Sequence, residues 1–240
     1  MTLSGDINCN GRQNKVSTEG IHPALVKSGD LSSWESFLKA RQDWPCLELG
    51  QAWLESPEET FAPGKAWFAI TPADVIVGVE FTDKDIFNPA TRLNELGFLT
   101  GDVMELFWKP SSGEAYYEIH VSPMGQILQL KFPGPQPTGK PKPGVPKVPV
   151  EQRIKPFMIT EPLFAIRLLR VNPDESWGCV VAVPKILMRG ASKGFRGEDV
   201  TVSVSRYDYT RPEPVPTVSS TSQHMAKSFH RSSEWRPLFL

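Results

Sequence analysis

Alternation of apolar and polar residues with a period of two runs through the middle and end of the chain. Val200, Val202 and Val204 alternate with Thr201, Ser203 and Ser205, the pattern of a strand with one buried face. Residues Ala66–Ile70 and Asp74–Thr82 are rich in Val, Ile and Phe and predict two strands, with Thr71-Pro72-Ala73-Asp74 as the turn between them. Further strands are predicted at Val103–Trp108, Ala115–Ser122, Glu161–Val171, Trp177–Val183 and Asp199–Asp208, with a short closing strand at Pro237–Leu240. Ser32 or Ser33 can cap a short helix that carries Trp34, Phe37 and Leu38. No helix-period segment alternates with the strands, which argues against a parallel βαβ sheet. The expected fold is all-β: an antiparallel, jelly-roll-like β-sandwich with a short helical and irregular N-terminal extension.

One hairpin can be taken to its register. Ser112-Gly113 is the best turn dipeptide between Val103–Trp108 and Ala115–Ser122, so paired residue numbers sum to about 225. Met104 then opposes Val121, Leu106 opposes Ile119 and Trp108 opposes Tyr117, an apolar set that defines the core face. The other face pairs Val103 with Ser122, Glu105 with His120 and Phe107 with Glu118. A slip of one residue would mix the two sets, so the patterning supports this register. Glu105 beside His120 is either a surface ion pair, worth well under ~1 kcal/mol, or the centre of a polar binding patch. Phe107 on the same face, and Phe87 and Phe98 in the loops, favour binding.

Residues 51–240 read as one domain, preceded by an extension over residues 1–50 whose first 20 residues are polar and rich in Gly, Asn and Ser. Residues 133–149 hold seven prolines and three glycines, which excludes a central strand and predicts an extended surface loop. The 240 residues carry a net charge of −1, so no electrostatic footprint for nucleic acid appears, and no apolar run approaches the ~20 residues a membrane span needs. No signal peptide is visible. As written, the chain is expected in the cytoplasm, or in an extracellular or periplasmic location if its N-terminus has been trimmed. Of the three cysteines, Cys179 lies in an apolar run and reads as a small buried hydrophobe. Cys9 and Cys46 could pair in a disulfide; the alternative is three free thiols.

Several of these residues also resemble the family 9 carbohydrate-binding modules and their family 9-like relatives, over roughly Gln51 to Leu240. The motifs are Val79-Glu80-Phe81-Thr82-Asp83-Lys84-Asp85-Ile86, Gly101-Asp102-Val103-Met104-Glu105-Leu106-Phe107 and Tyr116-Tyr117-Glu118-Ile119-His120-Val121-Ser122-Pro123-Met124-Gly125. After these come Trp177 with Val180, Ala182, Val183 and Pro184, then Arg206-Tyr207-Asp208, then the closing run Ser228 to Trp235. The resemblance implies a β-sandwich that clamps a glucose- or xylose-type chain end between two aromatic rings, possessing no catalytic residues of its own. It places Glu105 at the family's hydroxyl-binding glutamate, His120 at a basic position and Ser122 at the usual Asn. Phe98 and Phe229 fall where the family has its two tryptophans, and Arg206 is in reach of the patch or of Asp208. The physics is general: a pyranose packs its C–H face on aromatic rings while its hydroxyls need paired donors and acceptors. The expected partner is thus a saccharide, in a role accessory to polysaccharide breakdown.

Three other chemistries compete with this one. Asp83 and Asp85, with Asp102, could offer oxygen ligands to Ca²⁺, as family members often do; otherwise Asp83 and Asp85 cap a turn. Glu105 and Glu118, on one face, are candidate carboxylates for a glycoside hydrolase, with no third feature that supports catalysis. A haem reading would use His120 with Met124, since Met104 falls on the core face. His224 and His230 sit in a polar segment and are expected to be solvated, whereas Trp53, Trp67, Trp177 and Trp235 are expected to pack the sandwich.

Overall fold

The computed structural model describes residues 20–26, 31–135, 148–189 and 200–240. The strands are β1 (Ala24–Leu25), β2 (Cys46–Glu48), β3 (Gly64–Ile70), β4 (Asp74–Thr82), β5 (Val103–Pro110), β6 (Tyr116–Val121), β7 (Ile127–Phe132), β8 (Ala165–Asn172), β9 (Ser176–Pro184), β10 (Val200–Asp208), β11 (Thr217–Ser220) and β12 (Arg236–Leu238). The α-helices are α1 (Trp34–Ala40), α2 (Val150–Ile154) and α3 (Lys185–Arg189). One six-stranded sheet runs β1-β3-β4-β9-β8, with β2 sharing the edge of β3; the other runs β11-β10-β5-β6-β7, with β12 also on β10. β1 pairs in parallel with β3, while the long strands all pair antiparallel. The molecule is an all-β sandwich.

Alternation decides the core. Val75, Val77, Val79 and Phe81 of β4 and Trp177, Cys179, Val181 and Val183 of β9 face Met104, Leu106 and Trp108 of β5 and Val200, Val202 and Val204 of β10. Each outer face carries its own cover. On the first sheet α1 lies with Trp34 and Phe37 against Trp67, Ile76 and Val180. Ser33 caps that helix by accepting from Ser36 N at 3.1 Å. On the second sheet Phe107, Tyr116, Leu128, Leu130 and Phe132 meet Trp53, Phe229 and Trp235. The face expected to be open is therefore roofed, chiefly by residues after β11. The Ser- and Pro-rich composition of that segment masks the spaced aromatics that do the roofing.

Residues 20–26 and 31–50 pack directly on the first sheet through β1, β2 and α1. Most of the Pro-rich segment, residues 136–147, lies outside the described residues, as does Cys9. Cys46 is disulfide-bonded, which sets aside the reading of three free thiols; Cys179 is free and buried. Among the described residues no helix is long and apolar enough to cross a membrane.

Candidate functional site

The β5–β6 register is the expected one: Glu105 opposes His120, Phe107 opposes Glu118 and Met104 opposes Val121. The two acids and the imidazole converge on one face. His120 Nε2 is 2.5 Å from Glu118 Oε1 and 3.2 Å from Glu105 Oε1. Glu118 and His120 are two apart on one strand and so point the same way, which was readable from spacing alone. Glu105 is 3% exposed and His120 1%, so this is no surface ion pair. Burial, and after it the Glu118 charge, hold the Glu105 carboxyl well above the usual carboxylate value, so Glu105 keeps its proton. Burial also works to raise Glu118, but His230 and the His120 hydrogen bond outweigh it, and Glu118 stays ionised. Among the described residues, Glu118 Oε2 and His120 Nδ1 have no hydrogen-bond partner.

A pocket of about 410 Å³ opens above this cluster. Glu105 reaches it from the sheet, with the paired residues Tyr207 and Val218, and Pro216, Phe229 and His230 are among the other lining residues. Tyr207 was not expected here, yet the period of two signals it. Ser205 pairs with Glu105 and Tyr207 with Val103, so Tyr207 shares the outer face. Phe98 and Phe229 both pack on the Tyr207 ring, at centroid distances of 5.8 and 5.9 Å and close to perpendicular. The two rings expected to clamp a ligand thus contact the same tyrosine. Phe229 lines the pocket, whereas Phe98 stands behind Tyr207 and edge-on to His120 at 5.3 Å.

Arg206 is a correction. It pairs with Met104 and so points to the opposite face of the sheet, into the sandwich. There its Nη2 donates to Asp83 Oδ2 at 2.9 Å and lies 3.0 Å from Asp208 Oδ1, while the guanidinium sits over the Phe81 ring. Of the two partners weighed from sequence, Asp208 is the one it meets. Ser122 is on the cluster's face, but its Oγ accepts from Gln126 N at 3.0 Å, inside a turn that Gly125 completes at φ +80°. His224 departs from the solvated expectation, while His230 keeps about a third of its side chain exposed (36%). His224 is fully buried with Nδ1 3.1 Å from Glu234 Oε2, and His230 Nδ1 is 2.8 Å from the Tyr116 hydroxyl.

The acidic residues sort differently from the expected pair. Asp83, Asp102 and Asp208 come together, while Asp85 pairs with Arg211. Asp83 Oδ1 accepts from Asp85 N at 2.9 Å, the turn cap weighed from sequence. Asp102 accepts from Phe87 N and Tyr209 N, both at 2.8 Å. The Arg206 guanidinium, with its single positive charge, pairs with Asp83 and Asp208, and the ligand oxygens of Asp83, Asp102 and Asp208 lie within 4.8 Å of one another. Burial first, then neighbouring charge, raises Asp102 to about 8; burial raises Asp208 to about 7.

With the geometry in hand, comparison with known proteins places the fold. No family model and no curated protein matches the chain. Solved structures do. One is a protein from Bacteroides uniformis ATCC 8492, provisionally described as carbohydrate-binding: TM-score 0.63 and 13% identity over 92% of this chain and 98% of that one. Another is a family 9 carbohydrate-binding module from Caldicellulosiruptor kristjanssonii in complex with cellotriose, with TM-score 0.57 and 8% identity over 92% of each chain. Its complex with glucose gives TM-score 0.56 and 8% identity over 92% of this chain and 94% of that one. The chain has the sandwich fold of the family 9 carbohydrate-binding modules.

Proposed function

We propose that this protein is a non-catalytic saccharide-binding module, and that its ligand enters the pocket above Glu105. The observation that carries the reading is the pocket's construction. A neutral carboxyl group forms its inner end, and Tyr207 and Phe229 offer ring surfaces beside it. A protonated Glu105 can both donate to and accept from a sugar hydroxyl, and the rings can take a pyranose C–H face. About 410 Å³ suits one or two sugar rings rather than a buried polymer. Neutral sugars therefore bind by an end or by a single residue, without Phe98 as a second stacking face.

The hydrolase alternative has less support. Glu105 and Glu118 converge on one imidazole nitrogen and do not straddle a cleft, whereas glycosidase carboxylates stand ~5–9.5 Å apart with the sugar between them. The haem alternative needs His120 Nε2, and that atom is held by the two carboxylates. A glycan array followed by calorimetry tests the proposal. Glu105→Ala is expected to abolish binding of any positive glycan while the circular dichroism spectrum is retained. Unchanged affinity in that variant, or release of product from xylan or aryl-glycosides, would overturn the reading.

A further inference from the structure

Two carboxylates and an imidazole rarely share one buried site without a reason. Glu105, Glu118 and His120 each bring a ligand atom within 4.8 Å of the others, and all three residues are buried. His120 Nε2 faces Glu118 Oε1 and Glu105 Oε1 together, at 2.5 and 3.2 Å. A single N–H cannot be collinear with both oxygens. A cation at the point where the three atoms converge serves all of them. On the pocket side stands a second imidazole: His230 Nδ1 is 3.7 Å from Glu118 Oε2, an oxygen that has no hydrogen-bond partner although its residue is more than nine-tenths buried.

We propose that Glu105, Glu118 and His120 form a binding site for a first-row divalent transition metal of the zinc class, with its open position turned toward His230 and the pocket. The donor set decides the class. Nitrogen from imidazole with carboxylate oxygens suits zinc and its neighbours, whereas calcium and magnesium prefer all-oxygen shells. Charge decides the valence. Two carboxylates are matched in charge by one dication. Three protein ligands leave room for a fourth, and Glu105 and His230 both border the pocket from which it would come. His120 Nδ1 lacks a partner whether the ring faces a proton or a metal, so that orphan favours neither.

The site shares Glu105 with the proposed saccharide pocket, but it is tested without sugar. Tag-free protein is stripped with chelator, dialysed, and titrated with ZnCl₂ by calorimetry and with CoCl₂ by visible spectroscopy. One equivalent of zinc is expected to bind, and cobalt is expected to give d–d absorption that zinc abolishes. Glu118→Gln should weaken zinc by at least ~10-fold, because even partners outside the metal's ligand set are worth about 10–100-fold in affinity. Asp102→Asn, at the other acidic cluster, should leave zinc affinity unchanged. X-ray absorption of the zinc-loaded wild type needs no folded variant, and should show nitrogen and oxygen neighbours with imidazole scattering. No binding, a thiolate or all-oxygen shell, or zinc affinity indifferent to Glu118→Gln would overturn the site. Calorimetry with glycans before and after zinc loading then separates the two ideas: sugar binding by the stripped protein stands without the metal, and metal binding without sugar stands alone.

Discussion

Glu105 and Glu118 are the same residue type a few ångströms apart, and their surroundings give them different protonation. Glu105 holds its proton because burial and the Glu118 charge both oppose ionisation; Glu118 is ionised because His230 and His120 favour it. Gln mimics a protonated Glu, so Glu105→Gln should change stability by less than about 1 kcal/mol. Glu118→Gln removes the charged acceptor of His120 and should cost about 2 kcal/mol, the range of a hydrogen bond to a charged group. Urea denaturation of the two variants checks the asymmetry, and equal losses would mean that the protons are assigned wrongly. Tyr207 invites a different substitution. It is the ring that both Phe98 and Phe229 contact, so Tyr207→Ala should open the space between them and let a pyranose lie against both. On a glycan array this variant is expected to gain signal for neutral sugars, at some loss of melting temperature.

Among the elements, the β5–β6 hairpin was the most legible, because one face is wholly apolar and a turn dipeptide fixes its register. The same alternation held the signal for Tyr207 and Glu118, since each lies two residues from a recognised position. The roof over that sheet was not legible. β11 is four residues long in Ser/Pro-rich sequence, and Phe229 and Trp235 reach the sheet from irregular backbone, where no period exists to read. Helix α1 was legible as a helix but not as a lid over the first sheet. Its docking depends on glycines in β4 and β9, the strands directly beneath it. A Cβ at Gly78 would lie 2.5 Å from the Phe37 ring, and one at Gly178 would lie 2.3 Å from Val79 O and 2.8 Å from Trp34. Backbone cannot yield as a ring can, so Gly178→Ala should cost about 3 kcal/mol or more and Gly78→Ala nearer 1–3. Both should alter the near-UV signal of Trp34 and Trp67, and a silent Gly178→Ala would refute this packing.

For the molecule as a whole, buried acids set the pH response. Asp102 and Asp208 have folded values near 8 and 7, above those of the unfolded chain, so the native state keeps protons that the unfolded state has lost. Stability from this source is full below about pH 4 and declines as pH rises through 7 and 8. Glu234, lowered to about 2 chiefly by Arg231, works in the other direction and its contribution is lost in strong acid. The melting temperature should therefore peak in mildly acidic buffer and fall toward pH 9. In Asp102→Asn the fall should be shallower, whatever the variant's absolute stability, and a flat wild-type profile would contradict the assignment. The fold class, most strands and the Glu105–His120 pairing could be read in the sequence. The side of the sheet that Arg206 takes could also have been read, since it continues the alternation of Val200, Val202 and Val204. What the sequence withheld was whether the polar face meets water, since that depends on which distant segment lies across it.

The two ends of the described fold meet. Ile21 bridges Leu238 in parallel, Ile21 N donates to Pro237 O at 2.7 Å, and the His22 and Phe239 rings stack at 4.6 Å. A few added residues could splice Leu240 to Gly20, and the exposed Ser112-Gly113 turn could then be cut to give new ends. Such a circularly permuted chain would keep every strand neighbour while moving both tails to the far tip of the β5–β6 hairpin, and the domain could equally be grafted whole into a surface loop of another protein.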